Sequence, residues 1–357
     1  MKIAIINNLY PPLSRGGAEV VAESQANKLS SDGHDIFIIT TKPIGYDEKE
    51  KNIYRFFPLN IFSFYNLNKY PFPLRVIWRL IDIFNIHSYI KVRSILTKER
   101  PDIVYVHNLT GLGYLIPRLI KKSNTKYIQT IHDVALVRPS GLLMVAKEKE
   151  SLLIKLYFKI TRFLYGSPDE VVFPSEWLKK YYSTHTFFKE SKLKVVRNYS
   201  LPTDDLLTNK KNKSKKVNIV FAGQIEMHKG ILDLIEQLNN INTNNYTLNI
   251  LGTGSILGKA KRLASDNESI IFHGYQKIDT YLAAADYTIV PSLCYENSPT
   301  IIFESLSAKV PVIASDLGGT SELLTSGKNG YLYNPASKEN FEKVLKKYIL
   351  NTDDQKS

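Results

Sequence analysis

Short runs rich in Ile and Val alternate with segments of helical period along the whole chain, and the series starts twice. The first series predicts strands at residues 2–7, 35–41, 103–107, 127–132, 171–174 and 194–196, and the second at 217–222, 246–251, 270–273, 287–291 and 312–315. Apolar runs of this length alternating with helices are the pattern of parallel α/β units. Between the two series, residues 200–216 carry Pro202, Asp204, Asp205 and a Lys/Asn/Ser run, with too few apolar side chains to bury much, which marks a hinge. A length of 357 residues also exceeds what one hydrophobic core organises. The expected fold class is α/β, with two doubly wound, Rossmann-like domains facing a central cleft. Their expected bounds are 1–200 and 217–340, joined by a linker at 201–216, with a C-terminal helix at 341–357 packing back on the first domain. Open α/β sheets bind ligands outside the carboxyl ends of their strands, so the cleft is the expected site.

Composition narrows the function class. No uncharged apolar run approaches the roughly 20 residues that span a bilayer. The single Cys294 excludes an internal disulfide framework and a cysteine-based zinc site, and the start MKIAIINNLYPPL lacks the features of a signal peptide, so a cytoplasmic location is expected. The net charge of +13 is unevenly placed: residues 1–200 hold 30 Lys and Arg against 17 Asp and Glu, whereas residues 201–357 hold 17 against 17. Within 51–93, seven bases face the one acid Asp82 among aromatics such as Phe62, Tyr70, Phe72 and Trp78. Nucleic-acid partners usually meet Arg- or Gly-rich tracts, which are absent, so an anionic membrane surface is the expected partner, on the inner face of the cell membrane, with Arg75, Arg79, Lys91 and Arg93 as contacts there or with an acceptor. The stretch 74–92 sets Leu74, Ile77, Leu80, Ile81 and Phe84 on one helical face opposite Arg75, Arg79 and Asp82, which suits a core helix and a membrane-facing one equally. The stretch 152–164, with Lys155, Lys159 and Arg162 among Leu153, Leu156, Phe158 and Phe163, reads rather as core.

Two loops carry chemistry. In PPLSRGGAEVV, Gly16 and Gly17 lack Cβ atoms, so backbone N–H groups could approach a ligand at a helix start; a plain tight turn fits equally, and the pattern is not the G-x-G-x-x-G of dinucleotide folds. In TIVPSLCYENSPTIIFESLSAKVPV, Glu296 and Glu304 stand eight residues apart, with Ser298 suited to a helix cap and Pro299 to its first turn. Two carboxylates so placed can hold hydroxyls of two parts of one ligand, with the helix start favouring a phosphate between them.

The chain resembles the retaining GT-B glycosyltransferases of glycosyltransferase family 4, the "glycosyl transferases group 1" sequences. The resemblance rests on GGAE at 16–19, GHD at 33–35, TIHD at 130–133, FAGQIEMHKG at 221–230, LGTGS at 251–255, FHGY at 272–275, AAADYTIVPS at 283–292, E-x7-E at 296–304 and PVIASDLGGTSEL at 311–323. It implies that Glu304 holds the ribose of a nucleotide-diphosphate sugar and Glu296 the hydroxyls of its sugar ring. Backbone N–H groups of Asn297, Ser298 and Thr300 would face the diphosphate and sugar, Pro299 having none to give. Lys229 matches the diphosphate lysine, and Gln224 stands where the family usually has arginine, a donor without charge. His132 matches the histidine that contacts the transferred sugar, Gly16 and Gly17 the loop that closes on the diphosphate, and Gly252, Gly254 and Tyr275 the nucleobase side. Catalysis would then fall to His132, Glu296 and Lys229, with no cofactor and no metal, since no D-x-D is present. The implied acceptor is lipid-linked or a polysaccharide. Rival readings are a nucleotide-sugar epimerase on the same fold and a non-catalytic sugar-nucleotide or membrane-binding scaffold.

Overall fold

The computed structural model describes residues 1–13, 16–46, 50–123, 125–197, 216–241 and 245–350. It divides into two compact units, each built on one parallel sheet. The first unit holds strands β1 (Lys2–Ile6), β2 (Asp35–Thr41), β3 (Ile53–Phe56), β4 (Ile103–Val106), β5 (Lys126–Thr130), β6 (Glu170–Phe173) and β7 (Lys192–Val195), in the spatial order β3-β2-β1-β4-β5-β6-β7. Its helices are α1 (Gly17–Ser31), α2 (Phe72–Ile83), α3 (Ile86–Glu99), α4 (Ile116–Lys122), α5 (Leu152–Tyr165) and α6 (Glu176–Thr184). The second unit holds β8 (Val217–Ala222), α7 (Ile231–Asn240), β9 (Tyr246–Leu251), α8 (Leu257–Leu263), β10 (Ile270–Gly274), α9 (Asp279–Ala284), β11 (Tyr287–Val290), α10 (Thr300–Ser307), β12 (Val312–Ser315), β13 (Gly330–Tyr333) and α11 (Lys338–Leu350), with strands in the order β10-β9-β8-β11-β12-β13. Strand order reverses between β1 and β4 in one sheet and between β8 and β11 in the other, the position at which each such sheet offers a crevice beyond its own strand ends.

Central strands are continuous apolar runs because both faces are covered: Ile3 to Ile6 and Tyr287 to Val290 are all buried. The edge strands β3 and β13 escape the sequence pattern, being four residues long and partly exposed.

Two boundaries differ from expectation. The C-terminal helix starts at Lys338, and its described part belongs to the second unit: Phe341, Leu345 and Tyr348 join the core of α7, β8 and β9, with Phe341 stacked on Tyr333 at 4.1 Å and Tyr348 on Tyr331 at 3.8 Å. Its aromatic i, i+4, i+7 face needs an apolar partner, and β13 supplies one. The second unit also takes residues 142–149 out of the first half of the chain. The expected linker at 201–216 lies outside the described residues except for Lys216.

Helix α2 is turned the opposite way from a core helix. Its apolar row faces outward, with Leu74, Ile77, Leu80, Ile81 and Phe84 exposed and Phe72 69% exposed, while Trp78 and Asp82 are buried. Arg79, expected at a membrane surface, is instead a buried anchor. Its guanidinium donates to Asp82 at 3.2 Å, Thr110 Oγ1 at 3.1 Å, Tyr114 Oη at 2.6 Å and, on α5, Tyr157 Oη at 2.8 Å. Burial pushes the Asp82 carboxyl up to about 6, against the pull of Arg79 and the Gly111 N–H. Helix α5 also shows an apolar row, with Leu152 84% exposed and Leu153, Leu156 and Phe163 exposed beside Lys155 and Lys159, so the expected core reading fails for that face.

Leu345 is fully buried in the second unit's core. Leu345→Ala is expected to destabilise that unit by about 2–5 kcal/mol, read as lost hydrogen-exchange protection of β8 and β9 amides while β1 and β4 keep theirs.

Candidate functional site

In the second unit, the residues following β8 and β11 are locked together. After β8 the chain passes through the exposed Gln224 into a 3₁₀ turn, Met227–Lys229, and Gly230 then adopts φ +69°. A Cβ at position 230 would lie 1.8 Å from the Pro291 carbonyl oxygen, so only glycine permits this approach. The Leu293 N–H closes the same contact by donating to the His228 carbonyl at 2.9 Å. Lys229 Nζ thereby reaches Glu296 Oε1 at 2.9 Å. Ser292 Oγ donates to the same carboxylate oxygen, and the Gly319 N–H holds the Glu296 backbone carbonyl at 2.7 Å.

Burial opposes charge on both members of the pair, but each keeps the other ionised. Desolvation would raise Glu296, yet the Lys229 ammonium and the Ser292 hydroxyl hold it below the usual glutamate value. Desolvation would likewise lower Lys229, and Glu296 holds it above the usual lysine value. The neighbouring Cys294 thiol is pushed up to about 12 by burial and by Glu296, so it stays protonated and is no nucleophile at neutral pH.

Helix α10 begins one residue later than expected. Pro299, with φ −62° and ψ 119°, takes the N-cap position in place of Ser298, whose Oγ is buried without a hydrogen-bond partner among the described residues. Thr300 opens the helix, whose first-turn N–H groups have no partner within it and carry its positive end. Asn297 and Ser298 connect this start to Glu296. Glu304 lies just over one turn in, along a groove with Asp279, Thr300 and Phe303, where desolvation and the Asp279 carboxylate lift its pKa.

Gly252 and Gly254 join the loops after β8, β9 and β10. The Ile225 N–H donates to the Thr253 carbonyl at 2.9 Å and the Gly252 N–H to the Gly274 carbonyl at 2.7 Å; a Cβ at 252 would stand 1.9 Å from the Gly223 carbonyl oxygen. Glu226 braces this floor by accepting from the Ser255 N–H at 2.7 Å. Tyr275 is 87% exposed at its edge. The segment 142–149 completes the Glu296 loop: Met144 forms an antiparallel bridge with Cys294, the Val145 N–H donates to the Leu293 carbonyl at 2.9 Å, and the Tyr295 N–H donates to the Leu143 carbonyl at 2.8 Å.

In the first unit, His132 lies two residues beyond β5 and meets a partner that sequence reasoning did not single out. His107, the residue following β4, places Nδ1 2.8 Å from His132 Nε2, and its Nε2 lies 2.8 Å from Gln25 Oε1 on α1. Burial lowers His132 to about 4, and burial together with His132 holds His107 well below the usual histidine value. Both rings are therefore neutral at physiological pH. The signal for His107 in the sequence is a polar residue ending a buried apolar run at the point where strand order reverses. Gly16 does not offer its N–H outward: it donates to the Glu19 carboxylate at 2.8 Å, capping α1, of which Gly17 is the first residue. Arg75 is half-buried on α2, while Lys91 and Arg93 are exposed on α3.

Comparison with known proteins agrees with this geometry. A model described as Glycosyltransferase Family 4 matches residues 15–199, and one described as Glycosyl transferases group 1 matches residues 216–351. An uncharacterized 42.6 kDa protein in the cps region of Klebsiella pneumoniae is 25% identical over 336 residues, covering 90% of this chain and 87% of that protein. A putative teichuronic acid biosynthesis glycosyltransferase, TuaC, of Bacillus subtilis (strain 168) is 24% identical over 372 residues, covering 98% of this chain and 89% of its own. Among solved structures, Anabaena Alr3699/HepE in complex with UDP and glucose matches with a TM-score of 0.68 at 16% identity, covering 99% of this chain and 90% of that one, a likeness of fold.

The Lys229–Glu296 pair makes stability depend on pH in a defined direction. Glu296 is depressed in the folded chain, so its contribution is present above the unfolded value and is lost as pH falls through the folded one. Glu296→Gln is expected to melt below wild type at about pH 7, with the difference narrowing as pH falls below the usual glutamate range. An unchanged difference across that range in thermal melts would show that the pair does not titrate as described.

Proposed function

Because the chain belongs to glycosyltransferase family 4, we propose that it moves a sugar from a nucleotide-diphosphate donor to a lipid-linked or polysaccharide acceptor in cell-surface polysaccharide synthesis, with retention at the anomeric carbon. The observation that carries this reading is the half-buried Lys229–Glu296 pair beside the N-terminal end of α10. Breaking the bond from the anomeric carbon to the diphosphate oxygen builds negative charge on the leaving phosphate. The Lys229 ammonium and the α10 N–H groups are fixed donors for that charge, which lowers the barrier without reorganisation. Glu296 would hold hydroxyls of the sugar ring and Glu304 those of the ribose, while His132 contacts the transferred sugar. Acceptor attack on the face the phosphate leaves, with that phosphate taking the acceptor proton, accounts for retention without a carboxylate nucleophile. The cps-region and teichuronic-acid relatives support the choice of acceptor class.

The decisive experiment is incubation with a panel of nucleotide sugars and polyprenyl-phosphate-linked acceptors. Transfer is expected, and it should persist in excess EDTA, since Lys229 supplies the charge a metal would. Lys229→Ala and Glu304→Ala are each expected to lose about tenfold or more in donor affinity or turnover. A free epimer, or binding without turnover, would replace this reading with an epimerase or a binding scaffold.

We further propose that the first unit sits on the anionic inner face of the cell membrane. What supports this is the pair of outward apolar rows on α2 and α5, helices tied together by the Arg79–Tyr157 bond. The exposed Ile86, Ile90 and Arg93 share one face of α3 at i, i+4, i+7. Contiguous exposed apolar surface of this kind marks a binding face, and each base near an anionic bilayer adds about 1 kcal/mol. The protein is expected to float with anionic liposomes, less at high salt. Leu80→Asp with Lys155→Glu and Lys159→Glu should release it while nucleotide binding is kept; failure of wild type to float at low salt defeats the membrane reading.

A further inference from the structure

We propose that His107 and Gln25 are positioning residues that fix which nitrogen of His132 carries its proton. The use made of that proton rests on the sugar-transfer reading above; its location is a property of the folded chain alone. An amide oxygen can only accept, so Gln25 Oε1, 2.8 Å from His107 Nε2, requires the hydrogen of that ring on Nε2. A neutral imidazole has one N–H, which leaves His107 Nδ1 as a lone pair. The 2.8 Å contact from that nitrogen to His132 Nε2 is then donated by His132, whose own proton is thereby placed on Nε2 and whose Nδ1 becomes an acceptor. Each link is held by the fold. The Gln129 amide donates to the His107 carbonyl at 2.9 Å, the His107 N–H donates to the Ile6 carbonyl at 2.9 Å, and the two rings stack at 5.1 Å and 18°. Gln25 sits on α1 between Ala22 and Ala26, two side chains buried against the sheet.

The consequence is chemical. With its proton on Nε2, His132 cannot donate a hydrogen bond through Nδ1. The polarity of the residue at the sugar is set by an amide on the helix that opens with the GGAE loop, which the conserved-motif resemblance does not assign.

Long-range ¹⁵N–¹H correlation of the histidine rings in the ligand-free protein tests this directly, the seven histidines being assigned by single substitutions. Wild type is expected to show His132 and His107 both as Nε2–H forms. His107→Phe keeps the ring and removes both nitrogens, and should shift His132 to a mixture of forms. His107→Asn returns an amide oxygen near the place of Nδ1 and should restore the Nε2–H form. In transfer assays, His107→Phe is expected to lower kcat about tenfold with a smaller change in donor KM, and His107→Asn to recover most of the loss. An Nδ1–H form of His132 in wild type, or the same form in wild type and His107→Phe, overturns the proposal whatever the activity. If the tautomer responds as described and no sugar is transferred by wild type, the proton assignment stands and the transferase reading falls.

Discussion

A backbone contact that only glycine allows, between Gly230 and the Pro291 carbonyl, governs the chemistry of the second unit. It brings Lys229 and Glu296 together although they are 67 residues apart in sequence. Two such charges on independent loops would lose side-chain entropy and gain little, as exposed pairs do. Fixed by the contact and partly withdrawn from water, they gain from the lower local dielectric instead. The arrangement also solves a problem of charge. A lysine desolvated alone tends to release its proton, and a counter-charge beside it keeps it ionised. Glu296 is that counter-charge, and Ser292 satisfies the same carboxylate oxygen, which offsets part of the cost of burying it.

The first unit uses burial to the opposite end. His107 is buried and His132 half-buried, and His107 lies between the His132 imidazole and the Gln25 amide. Protonating His107 would set its Nδ1–H against the His132 Nε2–H, and desolvation already opposes the charged form of both rings. One sheet end thus keeps groups ionised and the other keeps them neutral.

Much of this was legible in the residues, for identifiable reasons. Central strands announce themselves because both faces are buried, and the loops after β8 and β9 because Gly230 and Gly252 are required by close backbone approach. Glu296 and Lys229 were legible by their motifs, although their direct pairing was not, since it depends on two loops meeting. Half-exposed β3 and β13 left no apolar run to read. His107 was hidden as a single polar residue ending a strand, and the role of 142–149 is invisible to any pattern local in sequence, being a pairing with Cys294 across half the chain. Ser298 was misplaced by one residue because Pro299 can stand either at the cap or within the first turn, and its ψ of 119° decides for the cap.

Helix α2 shows the sharpest limit of periodicity. The spacing of Leu74, Ile77, Leu80, Ile81 and Phe84 defines a face but carries no information about which way that face turns. The neighbours of α2 decide it: Tyr114, Thr110 and Tyr157 offer three hydroxyl oxygens to Arg79, and Phe62 and Phe64 stack on Trp78 at 6.3 and 6.0 Å. Turning the helix over would bury its aliphatic row but carry Arg79 and Asp82 to solvent together, taking from the Tyr114 and Tyr157 hydroxyls and the Gly111 N–H the partners they have in the fold. The polar network therefore fixes the orientation, and outward apolar surface is its consequence. A row forced outward on α2 need not imply a partner by itself. The second row on α5 is under no such constraint at Leu152, Leu153 and Leu156, because α5 faces inward with Thr161, Leu164 and Tyr165, while Phe163 carries the Arg118 guanidinium over its ring at 3.9 Å. The exposed Leu152, Leu153 and Leu156, interleaved with Lys155 and Lys159, are therefore the part of the outward apolar surface that internal packing does not account for.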